Sequence, residues 1–214
     1  MSRNQLHGKK FEDFIKACGL FPGASDSARS VNAGFDVEAR FDRELGLPTS
    51  IKASGNDSVA LSDARRFFAL DVPFRMIVGR YDQVEKQKVF ARIHEFILTP
   101  DALDALRGDL TSAEVAQFHE GLLLQHFPRG EHHAARAWAK AQQTKLVGVT
   151  TCIVLNPKID SKAQRRLQCS VPLRALIEVC KAPGSYRLHD ASIGDFALPV
   201  IQNSARREFR SLGS

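Results

Sequence analysis

Apolar residues near the N-terminus recur every three or four positions. They are Leu6, Phe11, Phe14, Ile15 and Cys18, and Gly19 follows them directly. This spacing places the apolar side chains on one face of a helix, and glycine is common just beyond a helix end. The pattern predicts an amphipathic helix over residues 4–18, with Gly19 as its C-cap.

The next regular segment alternates strictly between apolar and charged residues. Over residues 34–43 the apolar positions are Phe35, Val37, Ala39 and Phe41, and the charged positions between them are Asp36, Glu38, Arg40 and Asp42. A period of two predicts a strand with one charged face. Residues 44–48 are typical of a turn, and residues 49–54 of a second strand that pairs antiparallel with the first. Such a hairpin brings Lys52 opposite residues 36–40.

Further helices and strands follow along the chain. Ser62 and Asp63 are both suited to cap the start of a helix. Runs rich in Val, Ile, Phe and Tyr on either side of a charged turn predict two adjacent strands. The expected elements are a polar loop at 54–58, a helix at 61–68, strands at 74–81 and 89–98, helices between 101 and 145, a strand at 147–155 and a surface helix or frayed end at 204–210.

The order of these elements predicts an α/β fold with a mixed central sheet flanked by helices. No internal repeat, low-complexity tract or linker divides the 214 residues. We therefore expect a single domain, residues 1–214. Its core comprises about residues 4–98 and 146–180, and residues 101–145 form a helical insertion.

Composition and charge narrow the classes of function. With 43% hydrophobic and 25% charged residues, the chain has the composition of a globular protein and not of a disordered or fibrous one. Its net charge of +6 favours polyanionic partners such as nucleic acid. The N-terminus has no apolar signal region and the four cysteines show no CxxC spacing, which favours a cytoplasmic location. The longest apolar run is about half of a membrane span, so we expect no membrane contact.

Acidic residues and one lysine form the most informative group. Glu12 lies on the first predicted helix, Asp36 and Glu38 on one face of the first strand, and Lys52 on the second. Carboxylates on adjoining elements can hold one or two Mg²⁺ ions, and a neighbouring lysine can orient a water molecule and stabilise phosphate charge. These groups suffice for phosphodiester hydrolysis. The alternative is a solvated set of cross-strand ion pairs with little energetic weight.

The order of these elements over about residues 4–98 resembles the core of the PD-(D/E)xK nucleases, common among type II restriction endonucleases. The resemblance implies that Asp36 binds metal, that Lys52 is the catalytic lysine and that Glu12 is the acidic residue often found on the first helix. Two positions differ, because Phe35 replaces the family's proline and Ser50 replaces its second carboxylate. Either Glu38 or Glu12 must then supply the missing metal ligand, or the site is degenerate.

A basic segment follows the strand predicted at 147–155. Residues 158–168 contain four Lys or Arg, two Gln, one Ser and one acidic residue. Arginine can read guanine, glutamine can read adenine, and lysine and serine can position the DNA backbone. We expect a loop or helix start that contacts DNA, although a solvated basic face is the alternative. The candidate DNA-binding residues are Lys158, Lys162, Gln164, Arg165, Arg166 and Gln168.

Other motifs are weak. The histidines lack the spacing of a zinc site. The chain contains no P-loop, GxGxxG or GxSxG motif, which argues against a nucleotide cofactor and against a serine hydrolase. Trp138 is expected to be a packing residue, and Cys169 a small buried one.

Together these features predict a Mg²⁺-dependent type II restriction endonuclease that cuts both strands of DNA at a short sequence. Because one such site cuts one strand, a homodimer would match a two-fold symmetric target. Two alternatives stay open: a repair or junction-resolving nuclease that recognises DNA shape, and a DNA-binding protein whose nuclease core has lost catalysis.

Overall fold

The computed structural model describes residues 3–24, 34–160 and 165–202, with side chains from residue 8 onward. The surface helix or frayed end expected at 204–210, and the candidate DNA-binding residues Lys162 and Gln164, lie outside these ranges. Within them, no helix is long and apolar enough to cross a membrane.

The first predicted helix is confirmed, with a change of geometry near its end. Helix α1 spans Arg3–Ile15 and continues into a π-helical turn, Lys16–Leu20. Gly19 has a φ of 77°, the left-handed conformation that glycine adopts readily and that ends regular helices. The apolar face predicted from the spacing buries Phe11 and Ile15 completely.

The strand predicted at 34–43 is wrong. Residues 34–36 form a bend, Val37 makes one isolated antiparallel bridge to Thr49, and Ala39–Phe41 is a 3-10 turn. The charged face does not form either, because Asp42 is buried and its Oδ1 accepts from the backbone N–H groups of Glu44 and Leu45. Such local side-chain bonds to the backbone compete with strand pairing.

A mixed five-stranded sheet forms the centre of the molecule, as expected. Its strands are β1 (Thr49–Ser54), β3 (Phe74–Val84), β4 (Gln87–Leu98), β7 (Tyr186–His189) and β10 (Val200–Gln202). β1 pairs parallel with β3, and β3 pairs antiparallel with β4. β7 and β10 pair antiparallel with two different parts of β4. The predicted strands at 49–54, 74–81 and 89–98 are therefore confirmed.

A second, antiparallel sheet changes several expectations. It has the order β2-β6-β5, with β2 at Ser58–Asp63, β5 at Val154–Ile159 and β6 at Arg165–Pro172. β2 replaces the end of the predicted loop and the start of the predicted helix, which begins only at α2 (Ala64–Phe68). Asp63 is the N-cap of α2, and its side chain accepts from the backbone N–H of Arg66 at 3.0 Å. A small hairpin joins β8 (Ser192–Ile193) to β9 (Phe196–Ala197).

The strand expected at 147–155 begins only at Val154, and the basic segment that follows is a β-hairpin instead of a loop or helix start. The pairing of β5 with β6 places Lys158 opposite Arg166. Residues 149–153 do not join the strand, and the backbone N–H of Cys152 donates instead to the Leu106 carbonyl at 3.0 Å.

The helical middle of the chain is confirmed. It forms α3 (Pro100–Arg107), α4 (Ser112–Leu123) and α5 (His133–Lys145), and α6 (Leu173–Val179) follows β6. Thr99 caps α3, and Thr111 forms a capping box with Glu114 at the start of α4. Trp138 packs edge-on against Phe118, as a packing residue should.

Alternation along the sheet separates two apolar cores. On β3, Ile77 faces the core that contains α1, while Met76 and Val78 face the core formed with the second sheet and helices α2 to α6. Cys169 belongs to the second core, where burial raises the pKa of its thiol to about 12. The prediction of a buried Cys169 is confirmed, and none of the four cysteines is in a disulfide.

A glycine fixes the distance between α1 and the sheet. The ring of Phe11 lies over Gly79, where an added Cβ atom would be 2.3 Å from the Phe11 ring and 2.6 Å from that of Phe90. Any larger residue at position 79 would push α1 away from β3. The position of Glu12, the next residue on α1, therefore depends on this close approach.

One fully buried arginine joins the segment before β1 to the sheet. The side chain of Arg75 on β3 contacts three carboxylates, those of Asp42 at 3.3 Å, Glu44 at 3.1 Å and Glu95 at 2.8 Å. His189 Nε2 lies 3.2 Å from the other Glu95 oxygen, and Arg187 contacts Glu44 at the exposed rim. This network attaches residues 42–44 to β3 and β4.

Candidate functional site

Asp36 and Lys52 lie side by side at the start of the central sheet. Lys52 Nζ is 3.3 Å from Asp36 Oδ2, which also accepts from the backbone N–H of Ile51 at 2.7 Å and from the Ser50 hydroxyl at 3.4 Å. The bridge between Val37 and Thr49 holds the two segments together through backbone bonds of 2.9 and 3.0 Å. The predicted proximity of Asp36 to Lys52 is therefore observed, although the strand expected to provide it is absent.

Glu12 lies on α1, the helix that packs against β1. Its side chain is buried, and Lys16 Nζ, one helical turn later, lies 2.7 Å from its Oε1. Glu12, Asp36 and Lys52 line the same groove. Because α1 is held against the sheet at Gly79, this helix brings a second carboxylate to the groove without help from residues 34–43.

Glu38 is placed differently from its expected position. It is exposed, and its Oε2 pairs with Arg40 Nε at 3.0 Å. It is not among the described residues that line the groove. Since residues 36–38 do not form a strand, positions 36 and 38 do not share a sheet face.

The groove has a volume of about 1480 Å³ and lies between α1, β1, β2, α5 and the β5–β6 hairpin. Among the described residues, six cationic and three acidic side chains line it, so its field is positive. The cations are Lys9, Lys52, Arg136, Lys140, Lys158 and Arg166, and the acids are Glu12, Asp36 and Asp160.

The hairpin supplies half of the expected DNA-binding residues to this groove. Lys158 and Arg166 are exposed and directly opposite each other, and Gln168 lies two residues beyond Arg166 on the same face of β6. Like charges placed opposite each other on a sheet are unfavourable, unless an anion binds between or beside them. These three residues therefore form a polar, basic strip on one wall of the groove.

Arg165 points away from the groove. Its Nη1 donates to the backbone carbonyls of Leu123 at 2.5 Å and Gln125 at 2.7 Å, at the end of α4. On β6 it alternates with Arg166 and shares its face with the buried Leu167. Its role in the structure is to join the hairpin to α4. Once the segment is known to be a strand, the period of two separates the two arginines.

The sequence did not single out the wall of the groove that α5 forms beside β5. Arg136, Lys140 and Gln143 follow one another at spacings of four and three residues, which puts them on one helix face. Arg136 donates to the Ile159 carbonyl at 2.9 and 3.2 Å, and Gln143 donates to the Leu155 carbonyl at 2.6 Å. Lys140 has no ion-pair partner among the described residues. The helical spacing of these three polar residues in an Ala-rich segment was the one signal in the sequence that could have indicated this wall.

Ser62 also lines the groove, although the sequence indicated it only as a candidate helix cap. It lies at a bulge in β2, and its φ of 77° is rare for a residue other than glycine. Strained backbone of this kind is concentrated at functional sites.

A divalent cation such as Mg²⁺ needs oxygen ligands, and the acidic side chains that line the groove are Glu12, Asp36 and Asp160. No group of three or more His, Cys, Asp or Glu side chains suited to a metal occurs in the part of the chain that the structure describes. Mg²⁺, however, is often bound by one or two carboxylates together with water and substrate phosphates. The carboxylates of Asp36 and Glu12 in one cationic groove fit this mode of binding.

Comparison of the chain with known protein families, with curated proteins and with solved structures finds no match.

Proposed function

We propose that the chain is a Mg²⁺-dependent type II restriction endonuclease that makes double-strand cuts in DNA at a short specific sequence. The observation that carries the proposal is the shared groove, in which Glu12, Asp36 and Lys52 lie with the basic strip Lys158, Arg166 and Gln168. A carboxylate–lysine pair suits phosphate chemistry, and the basic strip suits a nucleic-acid backbone. A mixed sheet with α1 on one face agrees with a restriction-endonuclease-like core.

In this proposal the scissile phosphate lies beside Lys52. The Lys52 ammonium donates hydrogen bonds to the phosphate or to the attacking water and offsets the charge that develops in the transition state. Asp36 holds that ammonium through their 3.3 Å ion pair. The water oxygen bonds to phosphorus and its proton passes to bulk water, while the bond to the leaving sugar oxygen breaks and that oxygen takes up a proton from bulk water. Asp36 and Glu12 would hold Mg²⁺, which when bound adds positive charge at the phosphate and acidifies water.

A homodimer completes the proposal, because a single groove of this kind cuts one strand. Two copies related by a two-fold axis would cut both strands of a palindromic site.

Digestion of a mixed-sequence plasmid with Mg²⁺, and with EDTA in its place, tests the proposal. Discrete fragments that require Mg²⁺ support a restriction endonuclease. Nicks confined to junctions or distorted DNA would instead identify a structure-selective nuclease. Binding without cleavage would identify a degenerate nuclease core, which the serine at position 50 favours.

The two candidates for the second carboxylate are expected to differ. Glu12→Gln should lower the cleavage rate strongly, and higher Mg²⁺ or Mn²⁺ should partly restore it, because the lost oxygen ligand weakens metal affinity. Glu38→Gln should cleave at nearly the wild-type rate, because Glu38 does not line the groove. Cleavage rates at several metal concentrations measure both effects. Full activity of Glu12→Gln would show that Glu12 is not a ligand.

The residues of the β5–β6 hairpin should differ in role, with one contacting the DNA backbone and others contacting bases. Lys158→Ala should weaken binding to cognate and scrambled duplexes equally and reduce the salt-dependence slope by about one. Arg166→Ala or Gln168→Ala should reduce the specific-to-nonspecific ratio, by about 1–3 kcal/mol for a bidentate base contact. Titrations at several salt concentrations separate these effects.

Arg165→Ala is the matched control for these variants. It should leave both affinities unchanged and lower the free energy of unfolding by about 1–3 kcal/mol, because two carbonyl groups lose their donor. If Lys158, Arg166 and Gln168 can all be replaced without loss of affinity, the strip is a solvated face.

A further inference from the structure

A second cavity lies apart from the groove. It has a volume of about 890 Å³ and is bounded by the turn between β1 and β2, by β3 and β4, and by α6. None of the described residues that line it also lines the groove. Its size falls within the range of small-molecule sites, which is roughly 300–1,000 Å³.

Three arginines line this cavity, and two of them lie directly opposite each other on neighbouring strands. Arg80 on β3 and Arg92 on β4 are paired in register, next to a bulge at Ala91, and Arg174 lies on α6. Directly opposed like charges destabilise a sheet, so this placement calls for a compensating anion.

The carboxylates nearby compensate the arginines only weakly. Arg80 Nη2 contacts Asp57 at 3.3 Å, but the Asp57 side chain is 93% exposed. Arg92 is 3.8 Å from Asp190, and both of these side chains are largely exposed. Arg80 Nη1 is buried with no hydrogen-bond partner among the described residues. A phosphate in the cavity would accept from the accessible donors of Arg80 and Arg92, whose side chains are 21% and 64% exposed.

His94 adds a neutral polar edge to the same wall. Burial, and then the nearby charges of Arg80 and Arg92, lower the pKa of His94 to about 4, so its ring is uncharged at neutral pH. Its Nδ1 bonds the Tyr186 hydroxyl at 2.9 Å. An anion bound beside the two arginines would weaken their effect on this ring.

Polar residues of the turn between β1 and β2, together with Asp82, form one further part of the wall, and apolar and aromatic residues form another. Tyr81, Val154, Leu173 and Ile177 belong to the apolar and aromatic part. An inorganic ion would leave this surface unused, whereas a ring system attached to a phosphate would cover it. Arginine pairs with phosphate in a bidentate manner, so the two parts of the cavity suit the two parts of such a ligand.

We propose that this cavity binds a phosphate ester of about mononucleotide size, with its phosphate on Arg80 and Arg92 and its ring against Leu173 and Ile177. The site differs from a P-loop, because arginine side chains replace backbone amides as the phosphate donors. The proposal does not depend on the nuclease function, since the cavity shares no lining residue with the groove.

Calorimetric titration of the full chain with each of the four 5′-deoxynucleoside monophosphates tests the site. Deoxyadenosine and inorganic phosphate are the comparison probes. We expect at least one monophosphate to bind, and both comparison probes to bind more weakly. Arg80→Gln and Arg92→Gln should each weaken monophosphate binding by roughly 10- to 100-fold, the loss typical of one charge-assisted contact. In NMR spectra, the bound monophosphate should raise the pKa of His94.

Two controls separate this site from the groove. Arg40→Gln removes an equal charge from an exposed position outside the cavity and should bind like wild type. Arg166→Ala, in the groove, should also leave monophosphate binding unchanged. The proposal is overturned if no monophosphate binds at millimolar concentration, if folded Arg80→Gln and Arg92→Gln bind as wild type does, or if Arg166→Ala abolishes binding.

Discussion

Lys52→Ala and Asp36→Asn should each reduce the rate of DNA cleavage by about 10²- to 10³-fold or more while leaving DNA affinity close to that of wild type. In the proposed mechanism, Lys52 would act on charge that develops only in the transition state, and Asp36, which pairs with Lys52 at 3.3 Å, would also provide a metal-binding carboxylate. Asparagine is chosen at position 36 because its amide oxygen can still accept from the Ile51 N–H, which keeps the backbone bond intact. Single-turnover cleavage and equilibrium binding measure the two quantities separately.

Lys181→Ala serves as the matched lysine control, since Lys181 is exposed and lies outside the groove. It should cleave like wild type, and all three variants should unfold at similar temperatures. Near wild-type cleavage by either Lys52→Ala or Asp36→Asn would show that the chemistry takes place elsewhere.

Arg75→Met should lower the free energy of unfolding by about 3–5 kcal/mol. Methionine fills much of the same space, but it removes the buried guanidinium that pairs with both Asp42 and Glu95. Removal of one partner from a buried ion pair is costly for this reason, even where the intact pair adds little. Chemical denaturation monitored by circular dichroism measures the change.

Arg187→Gln provides the comparison, because Arg187 contacts the same carboxylate network from an exposed position. We expect a change of less than about 1 kcal/mol, as for other exposed ion pairs. Equal effects of the two substitutions would mean that burial does not govern this network.

Local sequence patterns predicted those elements that local interactions determine. The helical spacing before Gly19, the two β-rich runs around residues 85–88 and the Ala-rich middle segment all fold as expected. The strand predicted from the alternation at 34–43 does not form. Asp42 accepts a hydrogen bond from the backbone that follows it and pairs with Arg75, which is 33 residues away. A pattern within ten residues does not contain that partner.

The sequence also predicted part of the candidate site. Asp36 and Lys52 meet because a single bridge at Thr49 suffices to bring them together. The basic segment was recognised by its composition, but composition does not distinguish Arg165 from Arg166. Only the pairing of β5 with β6 sends one arginine to the groove and the other to α4. The contribution of α5 depends on a tertiary contact that no local pattern encodes.

The attachment of α5 to β5 has a consequence for the variability of the groove. Arg136 and Gln143 both bond main-chain carbonyls, those of Ile159 and Leu155, and neither bonds a side chain of β5. Every residue has a carbonyl group, so this attachment does not depend on which side chains β5 carries at its groove-facing positions. Lys158 can therefore be exchanged for residues of other size or charge while the wall keeps its geometry. The hairpin is thus a suitable position for diversifying or redesigning ligand preference on an unchanged scaffold.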